Sequence, residues 1–249
     1  KYFMYFLMKV LYPFSDHIVG VSKGVVEEAK KMNLGKLHRI RCIYNGINVD
    51  VIDKERVINR NIHKFMQSKN PLFIAVGRLV EQKRIDRLIN GFSLLRKRTK
   101  ANLLILGEGP LRFKLQKLIE KKNLQDCIEM VGFQKKVIQW INNSDIYILT
   151  SDFEGLPGAL IQAMACGLKL ISVNCKYGPS EILQNGLYGT LVDIDNQDYL
   201  VNAMYQNCEI VNKEQYKRGF RTTNEGIDRF KIEHCALEYK KLFKEVVDS

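Results

Sequence analysis

Residues 145–167 have the sequence DIYILTSDFEGLPGALIQAMACG, and this stretch decides the fold of the surrounding chain. Its first six residues are mostly apolar and β-forming, which indicates a buried strand. A Gly-Leu-Pro-Gly turn follows, and then a run of apolar residues and good helix formers that ends at Gly167. Since proline suits the start of a helix and glycine its C-terminal cap, the pattern predicts a strand, a glycine-rich loop and a helix.

The loop in this unit has the features of an anion-binding site. Free backbone N–H groups and the dipole at the start of a helix favour an anion, most often a phosphate. Glu154 adds a carboxylate to the same loop. The stretch therefore predicts a ligand site as well as a chain reversal.

The same alternation of strand and helix continues on both sides of this unit. Strand-like runs occur at 72–77, 102–107, 128–133, 146–151, 168–174 and 189–193, with amphipathic stretches at 84–98, 110–122, 135–142, 157–166 and 179–184. The expected fold class is therefore α/β, a Rossmann-like parallel sheet with helices on both of its faces. In such a sheet, ligands bind at the carboxyl ends of the strands.

Outside this alternation, the pattern changes at both ends of the chain. Residues 15–22 and 39–44 predict two further strands, and Ser22 is a natural N-cap for the helix that follows the first. Residues 49–70 are polar and charge-rich, which predicts a linker with one short helix. The apolar run 1–14 predicts a helix that packs on other protein, with a membrane-surface helix as the alternative.

Composition and charge exclude some classes of protein. No run reaches the length of about 18 apolar residues that a membrane span needs. Six cysteines without a C-x-x-C pair indicate reduced, buried thiols, and four dispersed histidines predict no metal site. The Asp193-Ile-Asp195 pair resembles a metal-binding motif, but its place at a strand end favours a turn or capping role. The net charge of +12 suits phosphate-bearing ligands, an anionic membrane or nucleic acid, although no basic-aromatic motif supports the last.

The loops after the predicted strands hold the candidate ligand contacts. Arg78 and Lys83 follow one strand, where a guanidinium fork and a mobile ammonium suit a diphosphate, although a solvated surface pair is the alternative. The turn from Gly107 to Gly109 lacks the third glycine of a dinucleotide motif and predicts only a close approach of backbone to a ligand. Phe133 is a contact for a flat base or a core side chain.

Taken together, these loops resemble a known family. The segments that carry the resemblance are GRLVEQKRIDRLI (77–89), ILGEGP (105–110), VGF (131–133), SDFEGLPGALIQAMACG (151–167) and NCKYGPSEIL (174–183). In this order and spacing they resemble the C-terminal domain of family-4 retaining glycosyltransferases, and SDHIVGVS (15–22) with IYNGIN (43–48) resembles the end of that family's N-terminal domain. The resemblance covers about residues 15–195 and implies the GT-B fold, in which two Rossmann-like domains enclose the active site.

The resemblance also implies a role for each candidate residue. Arg78 and Lys83 would hold the donor diphosphate and Glu154 would contact the donor sugar's hydroxyls, so these three are the expected catalytic residues. The other expected donor-binding residues are Gly77, Gly109, Phe133, Gly155, Leu156, Pro157, Gly158 and Gln162. Gln162 stands where the family has a second glutamate that binds the ribose, and an amide lacks the charge-assisted strength of that carboxylate.

Four segments follow from the resemblance. They are 1–48 as the end of the N-terminal acceptor domain, 49–70 as the linker, 71–227 as the nucleotide-sugar-binding domain and 228–249 as a C-terminal helix that packs back towards the N-terminal domain. Because residues 1–48 are far fewer than that family's N-terminal domain, we expect a C-terminal fragment that binds nucleotide sugar but transfers poorly on its own.

The implied function is transfer of a hexose or N-acetylhexosamine, with retention, from a nucleotide sugar to a glycan or lipid-linked acceptor in surface polysaccharide biosynthesis. UDP is the expected nucleotide, no metal cofactor or nucleic-acid partner is expected, and the expected location is the cytoplasm, including the anionic cytoplasmic face of the membrane. Two alternatives are a nucleotide-sugar-binding module without turnover and another GT-B enzyme, such as a sugar-nucleotide epimerase or a phosphorylase.

We predict that Gln162→Glu tightens binding of the nucleotide-sugar donor by about fivefold, because a carboxylate accepts hydrogen bonds from ribose hydroxyls more strongly than an amide does. Titration calorimetry with UDP-sugars measures the change. An unchanged affinity would show that residue 162 is a helix-surface position outside the donor site.

Overall fold

The structure is a computed structural model that describes residues 2–193, 196–213 and 225–248. Four parts of the sequence-based predictions lie outside the described residues: Lys1, Asp195, the stretch 214–224 of the main domain and Ser249. Within the described part, no helix combines the length and the apolar character that crossing a bilayer requires.

The N-terminal part of the chain contains a small parallel unit. Its elements are α1 (Tyr2–Leu11), β1 (Ile18–Gly20), α2 (Lys23–Lys31) and β2 (Ile40–Cys42), and α3 (Val49–Glu55) and α4 (Lys64–Gln67) follow in the segment 49–70, which packs on the main domain. β1 and β2 pair in parallel to form a separate two-stranded sheet. Ser22 caps α2 as predicted, since its hydroxyl accepts the backbone N–H of Val25 at 3.3 Å.

The rest of the chain alternates strands and helices. The strands are β3 (Leu72–Val76), β4 (Asn102–Leu106), β5 (Ile128–Gly132), β6 (Ile146–Leu149), β7 (Lys169–Val173) and β8 (Thr190–Val192). The helices are α5 (Ile85–Leu95), α6 (Arg112–Lys121), α7 (Val137–Asn142), α8 (Gly158–Ala165), α9 (Pro179–Ile182), α10 (Gln197–Lys213), α11 (Glu225–Asp228) and α12 (Ile232–Val247). Each strand lies inside one of the six predicted runs.

The large sheet confirms the predicted fold class. Its strand order is β5-β4-β3-β6-β7-β8, and every neighbouring pair is parallel. The chain builds outward from β3 to β5, returns to pair β6 with β3, and then builds to β8 on the other side. The strand order therefore reverses between β3 and β6, which is where ligands bind in open α/β sheets.

Alternate residues of the strands enter two separate cores. In β3, Phe73 and Ala75 pack with α5, α6 and α10, whereas Leu72 and Ile74 pack on the opposite face with α7 and α8. This period of two is the pattern of a strand that is buried on both sides. Helices therefore cover both faces of the sheet, and only loops lie at the carboxyl ends of its strands.

The 17-residue helix α10 is an element that the sequence analysis did not assign. Leu200, Met204 and Cys208 are spaced by four residues, and all three are buried in the core that α5 shares. This spacing is typical of one helix face, but polar residues such as Asn202 and Asn207 interrupt the apolar pattern.

The segment 49–70 differs from the predicted linker. It contains α3 and α4 instead of one short helix, and Ile52, Phe65 and Met66 are buried in the core of the main domain. Three apolar anchors hold the segment on the sheet domain even though most of its residues are polar. The segment therefore packs against the main domain through these buried side chains.

The C-terminal helix α12 lies on the N-terminal unit. Ile47 exchanges two backbone hydrogen bonds with Phe230 and Ile232 around the start of α12, and Arg41 pairs with Glu245 at 2.6 Å. α1 instead exposes aromatic side chains, with Phe3 at 70% and Phe6 at 62% of their full accessibility. Its predicted packing on other protein stays a prediction.

The cysteines agree with the prediction of reduced thiols. Cys42, Cys127, Cys175, Cys208 and Cys235 are free thiols, and Cys127, Cys166, Cys175 and Cys208 are buried. Burial raises the pKa of Cys127, Cys175 and Cys208 to about 12, so these thiols are protonated and unreactive near neutral pH.

The loops that follow β3 and β4 pack backbone against backbone. Gly107 has a φ of +133°, and a Cβ at this residue would lie 2.0 Å from the carbonyl oxygen of Gly77. A Cβ on Gly109 would lie 2.5–2.8 Å from backbone atoms of Leu79. Only residues without a side chain let the two loops approach so closely.

We predict that Gly107→Ala lowers the free energy of unfolding by about 3 kcal/mol or more, since strain and a clash with rigid backbone combine. Urea denaturation followed by circular dichroism measures the loss. The matched control is Gly158→Ala, because a Cβ there meets nothing within 4 Å and its stability should change little. Equal stability of Gly107→Ala and the parent would contradict the described loop contact.

Candidate functional site

The candidate site lies at the carboxyl ends of β3 and β6, where the strand order reverses. The two loops that leave these strands are hydrogen-bonded to each other: the backbone N–H of Asp152 donates to the carbonyl of Gln82 at 2.9 Å. The Gln82 side chain in turn donates to the carbonyl of Phe153 at 2.7 Å. These bonds bring the predicted residues of the two loops together.

The centre of the site is an ion pair between two of the predicted catalytic residues. Lys83 Nζ lies 2.6 Å from Glu154 Oε1, and the Ser151 hydroxyl donates to the same oxygen at 2.6 Å. Only 18% of the Lys83 side chain and 8% of the Glu154 side chain are exposed, so water screens their attraction weakly. The stem of Lys83 lies over Gly77, where a Cβ would be 3.2 Å from Lys83 Cε.

A second ion-pair network joins the same two loops, and the sequence analysis missed it. Arg84 and Arg87 bind Asp152 at 3.2 Å and 2.7 Å, and Arg84 also binds Asp86 at 3.1 Å. Arg84 has a left-handed φ of +47°, which its two carboxylate partners help to hold. Burial alone would raise the pKa of Asp86, but the hydrogen bond and charge of Arg84 lower it below its ordinary value.

Arg78 differs from these cations. It follows Gly77 at the start of the loop after β3, and the residue is exposed. Its backbone carbonyl accepts the N–H of Val80 at 2.9 Å, but its side chain makes no hydrogen bond or ion pair with another described residue. Its guanidinium donors are therefore available to a ligand at the edge of the sheet.

The loop before α8 carries the remaining predicted contacts. Pro157 is the N-cap residue and is buried, Leu156 is half-buried against the core, and Gly158 is the exposed first residue of the helix. A Cβ on Gly155 would lie 3.3 Å from Val21, so this loop faces the N-terminal unit. Gln162 lies one turn into α8 and is partly exposed.

Phe133 and Gly109 have different environments. Phe133 is 70% exposed just after β5, which excludes the alternative that it is a core side chain. Gly109 packs on Leu79, so its described contacts are with another loop of the protein. Both residues lie on the carboxyl edge of the sheet.

A cavity of about 580 Å³ lies beside the network of Arg84 and Asp152. Its lining includes Lys114, Lys117 and Lys121 of α6 but neither Lys83 nor Glu154. The cavity therefore lies next to the Lys83–Glu154 ion pair but does not contain it. Among the described residues, no cluster of three His, Cys, Asp or Glu side chains is placed to hold a metal ion.

These features define a class of protein: a Rossmann-like domain with a cluster of charged side chains where the strand order of its parallel sheet reverses, which is the place where domains of this class bind ligands. The chain belongs to the family described as Glycosyl transferases group 1, which matches residues 58–216. Relatives and structural neighbours of the chain are GT-B glycosyltransferases, as the resemblance of the loops implied.

Curated relatives include enzymes of glycan assembly. An N-acetylgalactosaminyltransferase of Campylobacter jejuni that acts on a diphospho-undecaprenol acceptor is 28% identical over 94% of this chain and 62% of its own length. An amylovoran biosynthesis glycosyltransferase of Erwinia amylovora is 30% identical over 79% of this chain and 54% of its own length. The chain thus spans only part of the length of these relatives.

Solved structures share the fold at low sequence identity. A glycosyltransferase from Rickettsia africae superposes with a TM-score of 0.84 at 19% identity, covering 99% of this chain and 68% of that one. Anabaena HepE, solved with UDP and glucose, gives a TM-score of 0.83 at 15% identity, covering 98% of this chain and 68% of that one. At these identities, the likeness establishes the fold alone.

We predict that a double-mutant cycle with Lys83→Ala and Glu154→Ala yields a coupling energy of about 1–3 kcal/mol in urea denaturation, because each single variant leaves a poorly solvated charge without its partner. The control is the exposed pair of Glu27 and Lys30, which lies on α2 at 3.2 Å and should give about 0.5 kcal/mol or less. Additive effects of the two site substitutions would contradict the ion pair.

Proposed function

We propose that the whole protein is a retaining glycosyltransferase that moves a hexose or N-acetylhexosamine from a UDP-sugar to a glycan or lipid-linked acceptor. The observation that carries the proposal is the buried pair of Lys83 and Glu154 at the switch point of the sheet, with the exposed Arg78 on the same loop as Lys83. Family membership and the printed activities of the relatives favour sugar transfer over a binding module without turnover.

The donor in this proposal lies across the loops after β3 and β6. Arg78 and Lys83 bind the diphosphate, because a fork of donors and an ammonium together match its negative charge. Glu154 accepts hydrogen bonds from hydroxyls of the sugar, and Lys83 fixes that carboxylate while facing the diphosphate. UDP is proposed as the nucleotide because the Anabaena neighbour was solved with it.

The proposed chemistry is stabilisation of a leaving diphosphate. As the glycosidic bond to the nucleotide breaks, negative charge develops on the diphosphate, and Arg78, Lys83 and the start of α8 are oriented in advance to stabilise it. By family resemblance, the acceptor attacks on the same face of the sugar, so no protein nucleophile takes part. Phe133 and Gln162 are proposed to contact the base and the ribose.

The acceptor is proposed to be part of a surface polysaccharide or a lipid-linked oligosaccharide. The names of the Campylobacter and Erwinia relatives support this class. We place the protein in the cytoplasm, in part at the anionic cytoplasmic leaflet, to which a net charge of +12 would attract it.

We predict that Arg78→Ala and Lys83→Ala each lower turnover of a UDP-sugar by the full-length protein about 100-fold, or about 3 kcal/mol, since each removes one cation from the developing charge. Steady-state assays with radiolabelled donor and calorimetric titration with UDP provide the measurement. Arg98→Ala is the matched control, because Arg98 is an exposed residue in the turn after α5, at the opposite end of the helix from the site, and contacts Asn202. If both site variants bind and react like the parent, the assignment of the diphosphate site is wrong.

A further inference from the structure

The loop between β7 and α9 is attached to α2 of the N-terminal unit. The hydroxyl of Tyr177 donates to Glu28, and Lys176 Nζ lies 3.4 Å from the same carboxylate. The ring of Tyr177 covers Gly24, where a Cβ would be 2.3 Å from the ring carbon Cδ1. Any side chain at residue 24 would displace this ring.

A second carboxylate of the same region binds the start of α2. Both oxygens of Glu181 accept the backbone N–H of Lys23, at 3.0 and 3.1 Å, and the hydroxyl of Tyr44 donates to one of them. The positive end of the α2 dipole favours this carboxylate. The loop and the first turn of α9 are thus fixed on the N-terminal unit at one point each.

On its other side, the same loop supports Glu154. The backbone N–H of Glu154 donates to the carbonyl of Lys176 at 3.1 Å. Gly178, with a φ of +86°, packs so closely on the Glu154 loop that a Cβ would lie 2.6 Å from Pro157 and 2.9 Å from the carbonyl oxygen of Gly155. One segment therefore touches α2 with its side chains and Glu154 with its backbone.

Tyr177 itself has an uncommon backbone conformation. Its φ of +65° is left-handed, which is unfavourable for a residue with a bulky side chain. The contacts of the side chain with Glu28 and Gly24 of α2 help to hold this conformation, since a strained backbone persists only where surrounding contacts over-determine it. Loss of the hydroxyl contact should let residues 176–178 relax and move the carbonyl that binds Glu154.

We propose that Tyr177 and Glu28 are positioning residues, which set Glu154 for the donor sugar by fixing the loop between β7 and α9 on α2. This inference rests on the proposed role of Glu154 in donor binding. It makes recognition of the sugar, but not of the nucleoside diphosphate, depend on the contact between the donor domain and the N-terminal unit.

Tyr177→Phe and Glu28→Ala test the proposal by two measurements on the full chain. Hydrogen–deuterium exchange of the backbone in 152–158 should become about tenfold faster in both variants, since a hydrogen bond to a charged group is lost. Affinity for UDP should stay within twofold of the parent, whereas affinity for the UDP-sugar should fall about fivefold or more.

Two further variants separate positioning from general stability. Glu28→Gln should restore exchange and sugar affinity close to the parent, because an amide oxygen still accepts the Tyr177 hydroxyl. Glu27→Gln removes a charge from the same helix at an exposed residue that contacts Lys30, and should change neither measurement.

Each possible result either supports or overturns the positioning role of Tyr177 and Glu28. Unchanged exchange in 152–158, or an equal loss of affinity for UDP and the UDP-sugar, overturns the positioning role. Faster exchange with a selective loss of sugar affinity supports it. If the parent protein binds neither UDP nor a UDP-sugar, the proposed function fails, and the exchange data alone then decide whether Tyr177 and Glu28 control the Glu154 loop.

Discussion

The buried attraction between Lys83 and Glu154 is the interaction on which the carboxyl edge of the sheet depends. Either charge alone at that position would be costly, since little water reaches it. The pair therefore holds together two loops from the two central strands, β3 and β6. Arg84, Arg87 and Asp152 repeat the connection a few residues away. The loops that would bind the donor are arranged before any ligand arrives, which reduces the entropy lost on binding.

Backbone packing adds a second constraint of a different kind. The loop after β4 lies on the loop after β3 without side chains between them, and Gly178 of the loop after β7 packs on the backbone of Gly155 and the rigid ring of Pro157 in the loop before α8. Such contacts permit very little relative displacement, because backbone atoms cannot change rotamer. A displacement of one loop at this edge therefore requires a displacement of the loop packed against it.

Much of the sheet domain could be predicted from the sequence, because its strands are short apolar runs separated by clear turn residues. α10 and the packing of residues 49–70 could not, since their apolar anchors are scattered among polar residues and become a face only after folding. In the site, Lys83 and Glu154 were predicted as separate ligand contacts, but not as partners of each other. Their pairing, and that of Arg84 with Asp152, depends on which loops lie side by side, and the strand order alone determines this.

The exposed aromatic face of α1 has a consequence for the behaviour of this chain in solution. Phe3 and Phe6 of α1, together with Phe14 just after it, present apolar surface to water, while the net charge of +12 keeps molecules apart. These two effects respond oppositely to ionic strength, because salt screens the repulsion and leaves the apolar attraction intact. We therefore expect the 249-residue chain to be mostly monomeric at low ionic strength and to self-associate reversibly as salt is added.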